Sequence, residues 1–157
     1  MTQEEFRKVC SRFATGVAVL TVSDQAGGPH GLTVNSFTSV SADPPLVLVC
    51  IDNSCTLLPF FESASHFGLS FLEERQQDIS MRFAFVPERR FDGVNWSSTP
   101  NGIPVIDGVL GWMECRIEQR VQAGDHRILI GEVVGAEIRL EELPLVYYGS
   151  GYRRLER

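Results

Sequence analysis

Residues 31–46, GLTVNSFTSVSADPPL, constrain the fold more than any other stretch of this chain. Thr33, Val34, Phe37 and Val40 suit a pleated, half-buried strand, and no strong helix former interrupts them. The strand must stop at Asp43-Pro44-Pro45, because neither proline has an N–H to give to a ladder. Thr33, Asn35, Ser36, Thr38, Ser39 and Ser41 load the same segment with short polar side chains. Two readings follow: an edge strand with a solvated hydroxyl face, or a strand whose donors face a flat, heteroatom-rich ligand.

The rest of the chain bounds the choice. At 157 residues it is long enough for one domain with its own core, and 43% hydrophobic with 22% charged residues is a globular composition. A net charge of −6, with no basic run longer than Arg153-Arg154, argues against a nucleic-acid partner, since phosphate binding needs clustered cations. Cys10, Cys50, Cys55 and Cys115 form no CxxC and only three histidines accompany them, so no metal site or redox pair is expected. Cys10, Cys50 and Cys115 lie among apolar neighbours and are expected as reduced core residues. There is no apolar leader and no 18-residue apolar span, which predicts a cytoplasmic protein that does not enter a membrane.

Taken in order, residues 2–14 predict an amphipathic helix, with Thr2 and Glu5 as a capping box and Phe6, Val9, Cys10 and Phe13 on one face. Residues 17–23 form an apolar strand, 24–28 a hairpin loop, and 29–38 the strand that opens the polar stretch. Residues 46–51 (LVLVCI) read as a central strand, apolar on both faces. Asp52-Asn53-Ser54 predicts a helix start, with the helix over 56–63, a strand over 66–71 and helical spacing over 73–85. Residues 86–100 read as irregular loop and 104–108 as a turn. Two long strands, 109–121 and 127–140, flank a turn at 122–125, and 145–148 closes the sheet. Strands outnumber helices without βαβ alternation. The expected fold is mainly β: an antiparallel, Greek-key-like barrel with two or three helices, in one domain over residues 1–157.

Five segments in order carry a family resemblance: ATGVAVLTV (14–22), GLTVNSFTSVSADPPLVLVCID (31–52), PVIDGVLGWMECRI (104–117), GDHRILIGEV (124–133) and PLVYYGSGYRRL (144–155). Together they resemble the short-chain flavin reductases, the reductase components of two-component flavin-dependent monooxygenases. The resemblance implies an FMN-binding split β-barrel, a homodimer, and hydride transfer from NADH or NADPH to FMN or FAD. It also implies a separate monooxygenase that receives the reduced flavin.

In those roles Thr33, Val34, Asn35 and Ser36 would meet the polar edge of the flavin ring, where donors favour the electron-rich reduced form. Ser39 and Ser41 would reach N5 or the ribityl chain. Within Cys50, Ile51, Asp52, Asn53, Ser54 and Thr56, a strand end runs into the expected helix start. Ser54 and Thr56 are the phosphate ligands there, the plain alternative being that Ser54 only caps the helix. Asn53 stands where a basic residue would assist the phosphate, and Arg82, Arg89 and Arg90 are the candidates for the missing charge. By resemblance Phe83, Ala84 and Arg90 line the flavin tail, although core packing explains an isolated Phe83 equally simply. His126, in the turn Gly124-Asp125-His126, is placed beside the nicotinamide, where imidazole would bond the carboxamide or ribose. Tyr148 and Tyr152 would stack on nicotinamide or adenine, or else only close the barrel. Two other readings keep the architecture: a non-enzymatic flavin-binding electron carrier, and a pyridoxamine-phosphate-oxidase-like enzyme.

Overall fold

The computed structural model describes residues 1–156. The strands β2 (Ala18–Ser23), β3 (Pro29–Val34), β4 (Thr38–Ala42), β5 (Pro45–Asp52), β6 (His66–Phe71), β9 (Gly111–Ala123) and β10 (His126–Ile138) form one antiparallel sheet in the order β3-β2-β6-β9-β10-β5-β4. Three helices accompany it: α1 (Gln3–Cys10), α2 (Leu58–Ser63) and α3 (Gln77–Phe85). The short strands β1 (Thr15–Gly16), β11 (Val146–Tyr148) and β12 (Gly151–Arg153) make a separate three-stranded sheet, and β7 (Trp96–Ser98) pairs with β8 (Pro104–Ile106). This is the expected split barrel.

The polar stretch does not stay in one strand. β3 ends at Val34, residues 35–37 leave the ladder, and β4 resumes on the far side of the sheet against β5. Consecutive segments therefore occupy the two opposite edges, and residues 35–37 cross the seam between them. Pro44 and Pro45 follow the end of the strand as expected, β4 stopping at Ala42. They turn β4 into β5, with Ala42 opposite Pro45, and the Asp43-Pro44 peptide is cis.

β2 is buried on both faces. Ala18, Leu20 and Val22 enter a core with Val49, Phe67 and Leu129, whereas Val17 and Val19 enter a second core with Leu72, Phe83 and Leu145. The strand predicted at 46–51 is interior to the sheet as expected, β5 lying between β10 and β4. Val47, Val49 and Ile51 are buried, but Leu46, Leu48 and Cys50 on its other face are only half-buried. The chain crowds closely at Gly131, where a Cβ would lie 2.7 Å from Phe67 Cε1 and 2.8 Å from Cys115 Cβ.

Several local expectations change. α1 has its capping box, but it ends at Cys10 and buries none of its residues, so Cys10 is exposed instead of in the core. Thr15-Gly16 pairs with β11, and residues 145–148 close that small sheet and not the large one. The helix over 73–85 shortens to α3, since Glu73 turns inward, accepts from Arg75 and bridges to Pro144. The loop over 86–100 and the turn at 104–108 contain the β7–β8 pair.

Candidate functional site

The seam is where the polar segment meets open space. At the end of β3, Thr33 Oγ1 donates to the carbonyl of Ser80 on α3 at 2.6 Å. Ser80 Oγ lies 2.7 Å from the Tyr152 hydroxyl on β12. These bonds hold three elements around a cavity of ≈ 400 Å³ whose wall includes Thr33, Val34, Asn35, Ala84, Phe85 and Tyr152. Val34 is buried through its side chain, so its main chain is what it offers, whereas Asn35 is exposed. Tyr147, which sequence reasoning passed over, also lines this cavity and meets Tyr152 edge-on at 5.5 Å. Tyr148, the residue it singled out, is the next along β11 and more exposed, as strand alternation requires.

Across the seam, Ser36 Oγ donates to the Cys50 carbonyl at 3.1 Å and accepts from the Cys50 N–H at 3.0 Å. Its hydrogen is spent on closing the barrel, which corrects its expected role as a free donor to a ligand; one lone pair is left. Ser39 and Ser41 stand on β4 opposite Val47 and Leu46, with an irregularity in the pairing between them. Neither lines the cavities described here. Ile51 is a core residue, and burial pushes the Cys50 thiol up.

The expected helix-terminus anion site is not formed. α2 begins at Leu58, its N-terminal flank is Leu57, and no side chain caps it. Ser54 instead folds back, donating through N and Oγ to Asp52 Oδ1 at 2.7 Å each. Those bonds, with smaller contributions from His126 and Arg7, hold the Asp52 carboxyl below the ordinary aspartate range. Asn53 N–H donates to the Asp125 carbonyl at 2.9 Å, which ties this turn to the β9–β10 hairpin. His126 opens β10 directly opposite Asp52, and its Nδ1 lies 2.7 Å from Asp125 Oδ1. It does not share the cavity that Tyr152 lines.

Thr56 joins two further hollows. One, of ≈ 540 Å³, is lined with Asn53, Glu62 and Arg127, where Arg127 Nε stands 3.2 Å from Glu62 Oε1. The other, of ≈ 920 Å³, runs beside β3 between α2 and the segment after α3, and Arg90, His30, Phe60 and Phe85 are in its wall. Phe85 borders both this hollow and the one at Asn35. Of the three arginines considered, Arg82 is committed to the carbonyls of Arg90 and Arg89 at 2.6 and 3.0 Å, and Arg89 pairs with Asp92 at 2.8 Å. Arg90 is half-buried, and desolvation draws its guanidinium below the ordinary value. Phe83 is corrected outright: its ring is fully buried, edge-on to Phe91 at 4.9 Å and pressed under Gly31, so it cannot line a ligand with its side chain.

Among the described residues no group of three or more His, Cys, Asp or Glu could hold a metal ion, and no helix is long and apolar enough to cross a membrane.

An antiparallel barrel left open along one seam, with main-chain and amide groups at the seam and a cation beyond it, defines the class of split-barrel cofactor-binding proteins. Within it, the chain belongs to the flavin reductase like domain family, whose model matches residues 10–156. It is 44% identical over 127 residues to the stachydrine N-demethylase reductase subunit Stc3 of Rhizobium meliloti, covering 81% of this chain and 55% of that protein. It is 42% identical over 152 residues to the FMN reductase (NADH) SmoA of Agrobacterium fabrum, covering 97% of this chain and 86% of that one. The chain thus spans little more than half the length of the first of these relatives and most of the second. In structure it superposes on the NADH:FAD oxidoreductase SgcE6 of Streptomyces globisporus, solved with NAD and FAD fragments, with a TM-score of 0.93 at 35% identity over 98% of this chain and 93% of that chain.

Proposed function

We propose that this chain is an NAD(P)H:flavin oxidoreductase that passes reduced FMN or FAD to a separate flavin-dependent monooxygenase. The observation that carries the reading is the seam: an open cavity walled by Thr33, Val34 and Asn35, in a chain that belongs to the flavin reductase family. A bound flavin supplies the hydride-accepting ring, so this chain's residues need only bind, align and shield. The donor set fits such a ring: main-chain groups at 33–36 and the exposed Asn35 amide suit its polar edge, and Val17, Ala84 and Phe85 offer apolar wall. Arg90 and Thr56, in the adjoining hollow, suit the phosphate tail. His126, half-exposed beside Asp125, is the group assigned to the nicotinamide, and Asp125 orients its ring through Nδ1. NADH is favoured as donor by the names of SmoA and SgcE6.

A homodimer is part of the proposal. Phe6, Val9 and Phe13 are exposed, at 58%, 68% and 79%, and a second copy would cover them. A steady-state assay crossing FMN and FAD with NADH and NADPH tests the function. NADH oxidation that depends on added flavin is expected; no oxidation in any of the four combinations would overturn the reading.

A further inference from the structure

Ser80 is a serine where an alanine would suit the chain better. It stands inside α3 and is fully buried, and a serine hydroxyl weakens a helix interior and costs free energy away from water unless it is bonded. Its bonds reach two other elements. The Ser80 carbonyl accepts from Thr33 Oγ1 at 2.6 Å, and Ser80 Oγ lies 2.7 Å from the Tyr152 hydroxyl, so one residue is tied to β3 and to β12. β12 needs such a hold. It has three residues, pairs only with β11 at the edge of the small sheet, and follows Gly149 and Ser150, whose φ angles are 60° and 61°. That left-handed conformation is one a side chain such as that of Ser150 disfavours. The bond from α3 thus crosses 72 residues of chain to fix a side chain on a short edge strand.

Where Tyr152 is held decides which ligand it meets. It lines the cavity of Thr33, Val34 and Asn35, and His126 does not. This parts Tyr152 from the residue assigned to the nicotinamide and groups it with those assigned to the flavin edge. Tyr147 meets its ring edge-on, with centroids 5.5 Å and planes 74° apart, so a polar contact at the hydroxyl and an aromatic one at the ring together fix its plane. Resting on the flavin-reductase reading, we propose that Ser80 is a positioning residue for the flavin ring. Buried beyond reach of the ligand, its hydroxyl acts through Tyr152, which it holds as a fixed wall of the isoalloxazine site. A wall set in place before binding leaves less side-chain freedom to be lost when the ring enters.

The test compares Ser80→Ala, Tyr152→Phe and the double variant in the whole protein. Tyr152 is half-buried, so water can take over its hydroxyl in Ser80→Ala, and alanine favours the helix; that variant is expected to melt with the parent. Affinities for FMN and riboflavin, read from flavin fluorescence, should fall about three- to tenfold in each single variant, the range of one net hydrogen bond, and no further in the double. Riboflavin and FMN should suffer alike, since the wall meets the ring and not the tail, and the KM for NADH at saturating flavin should stay unchanged. The chain has three tyrosines, so fluorine NMR of the fluorotyrosine-labelled protein gives a readout without any ligand. The line that Tyr152→Phe removes should move in Ser80→Ala. Unchanged affinities, losses that multiply in the double variant, a loss confined to FMN, a rise in the KM for NADH alone, or an unmoved Tyr152 line would each overturn the proposal. Should the unaltered protein bind neither flavin, the flavin reading falls and this inference with it, whatever the fluorine spectra show.

Discussion

Cys115 and His126 show how differently single residues on neighbouring strands can be placed. Cys115 is fully buried, and desolvation with the nearby Glu114 carboxylate pushes its thiol up to about 12. It is thus protonated at any working pH, and the thiolate is the reactive form. Titration with a chromogenic disulfide at pH 8 should leave it silent in the folded protein and reveal it on denaturation. A Cys115→Ala variant should show the same native thiol count as the parent; one thiol fewer would mean the core opens. His126, half-exposed, is expected to act on the hydride donor alone. His126→Ala should raise the KM for NADH about fivefold, roughly one net hydrogen bond, and leave flavin affinity unchanged. A change in flavin affinity alone would move His126 out of the nicotinamide role. At this scale the sequence was informative about kinds of residue and less about where they point. Ser36 reads as a free donor until its bonds to Cys50 are seen, and Phe83 and Arg90 look alike as ligand candidates although one is core and the other lines a cavity. Orientation depends on neighbours distant in sequence, such as Gly31 over Phe83, which no local pattern contains.

Among the elements, long periodic segments were legible and junctions were not. β2, β6, β9 and β10 fall within a few residues of their expected bounds because alternation and apolar content both mark them. The 52–58 junction misled, since Asp-Asn-Ser has the composition of a helix cap but here closes on itself through Asp52, four residues before α2 begins. Ser54→Ala should accordingly change stability by less than about 0.5 kcal/mol in urea unfolding, as exposed substitutions do, whereas loss of a true cap costs about 1 kcal/mol. A loss of that larger size would restore the capping role. The break of the polar segment into β3 and β4 was also hidden, because both halves have strand composition and only the sheet order separates them.

For the molecule as a whole, the acid side of its stability has an identifiable source. Asp24 and Asp52 both have carboxyls held below the ordinary value of 3.8, the first mainly by His30 and the second mainly by Ser54. A depressed folded value means each contributes stability above the unfolded value, and that contribution is lost as pH falls through the folded one. Melting temperature should therefore fall below about pH 4, and Asp24→Asn should flatten that limb; an unchanged limb would remove Asp24 as a source. Sedimentation should give twice the chain's mass, with Phe6→Ser combined with Phe13→Ser shifting it toward the single chain. A single-chain mass for the parent protein would discard the dimer. The split barrel itself was legible from strand count and linker length. The empty face of α1 was not, because amphipathic spacing says that a face is apolar without saying what covers it.

Residues 35–37 tether the two free edges of the large sheet at one end only. Four Cα steps from Val34 to Thr38, at about 3.3–3.6 Å each, cap the gape there at roughly 14 Å. Nothing covalent spans the far end, between His30 and Ser41, except the long way round the barrel. The separation of the two edges beside Asn35 is therefore fixed by this short tether, and lengthening it by one or two residues should loosen the walls of the cavity there.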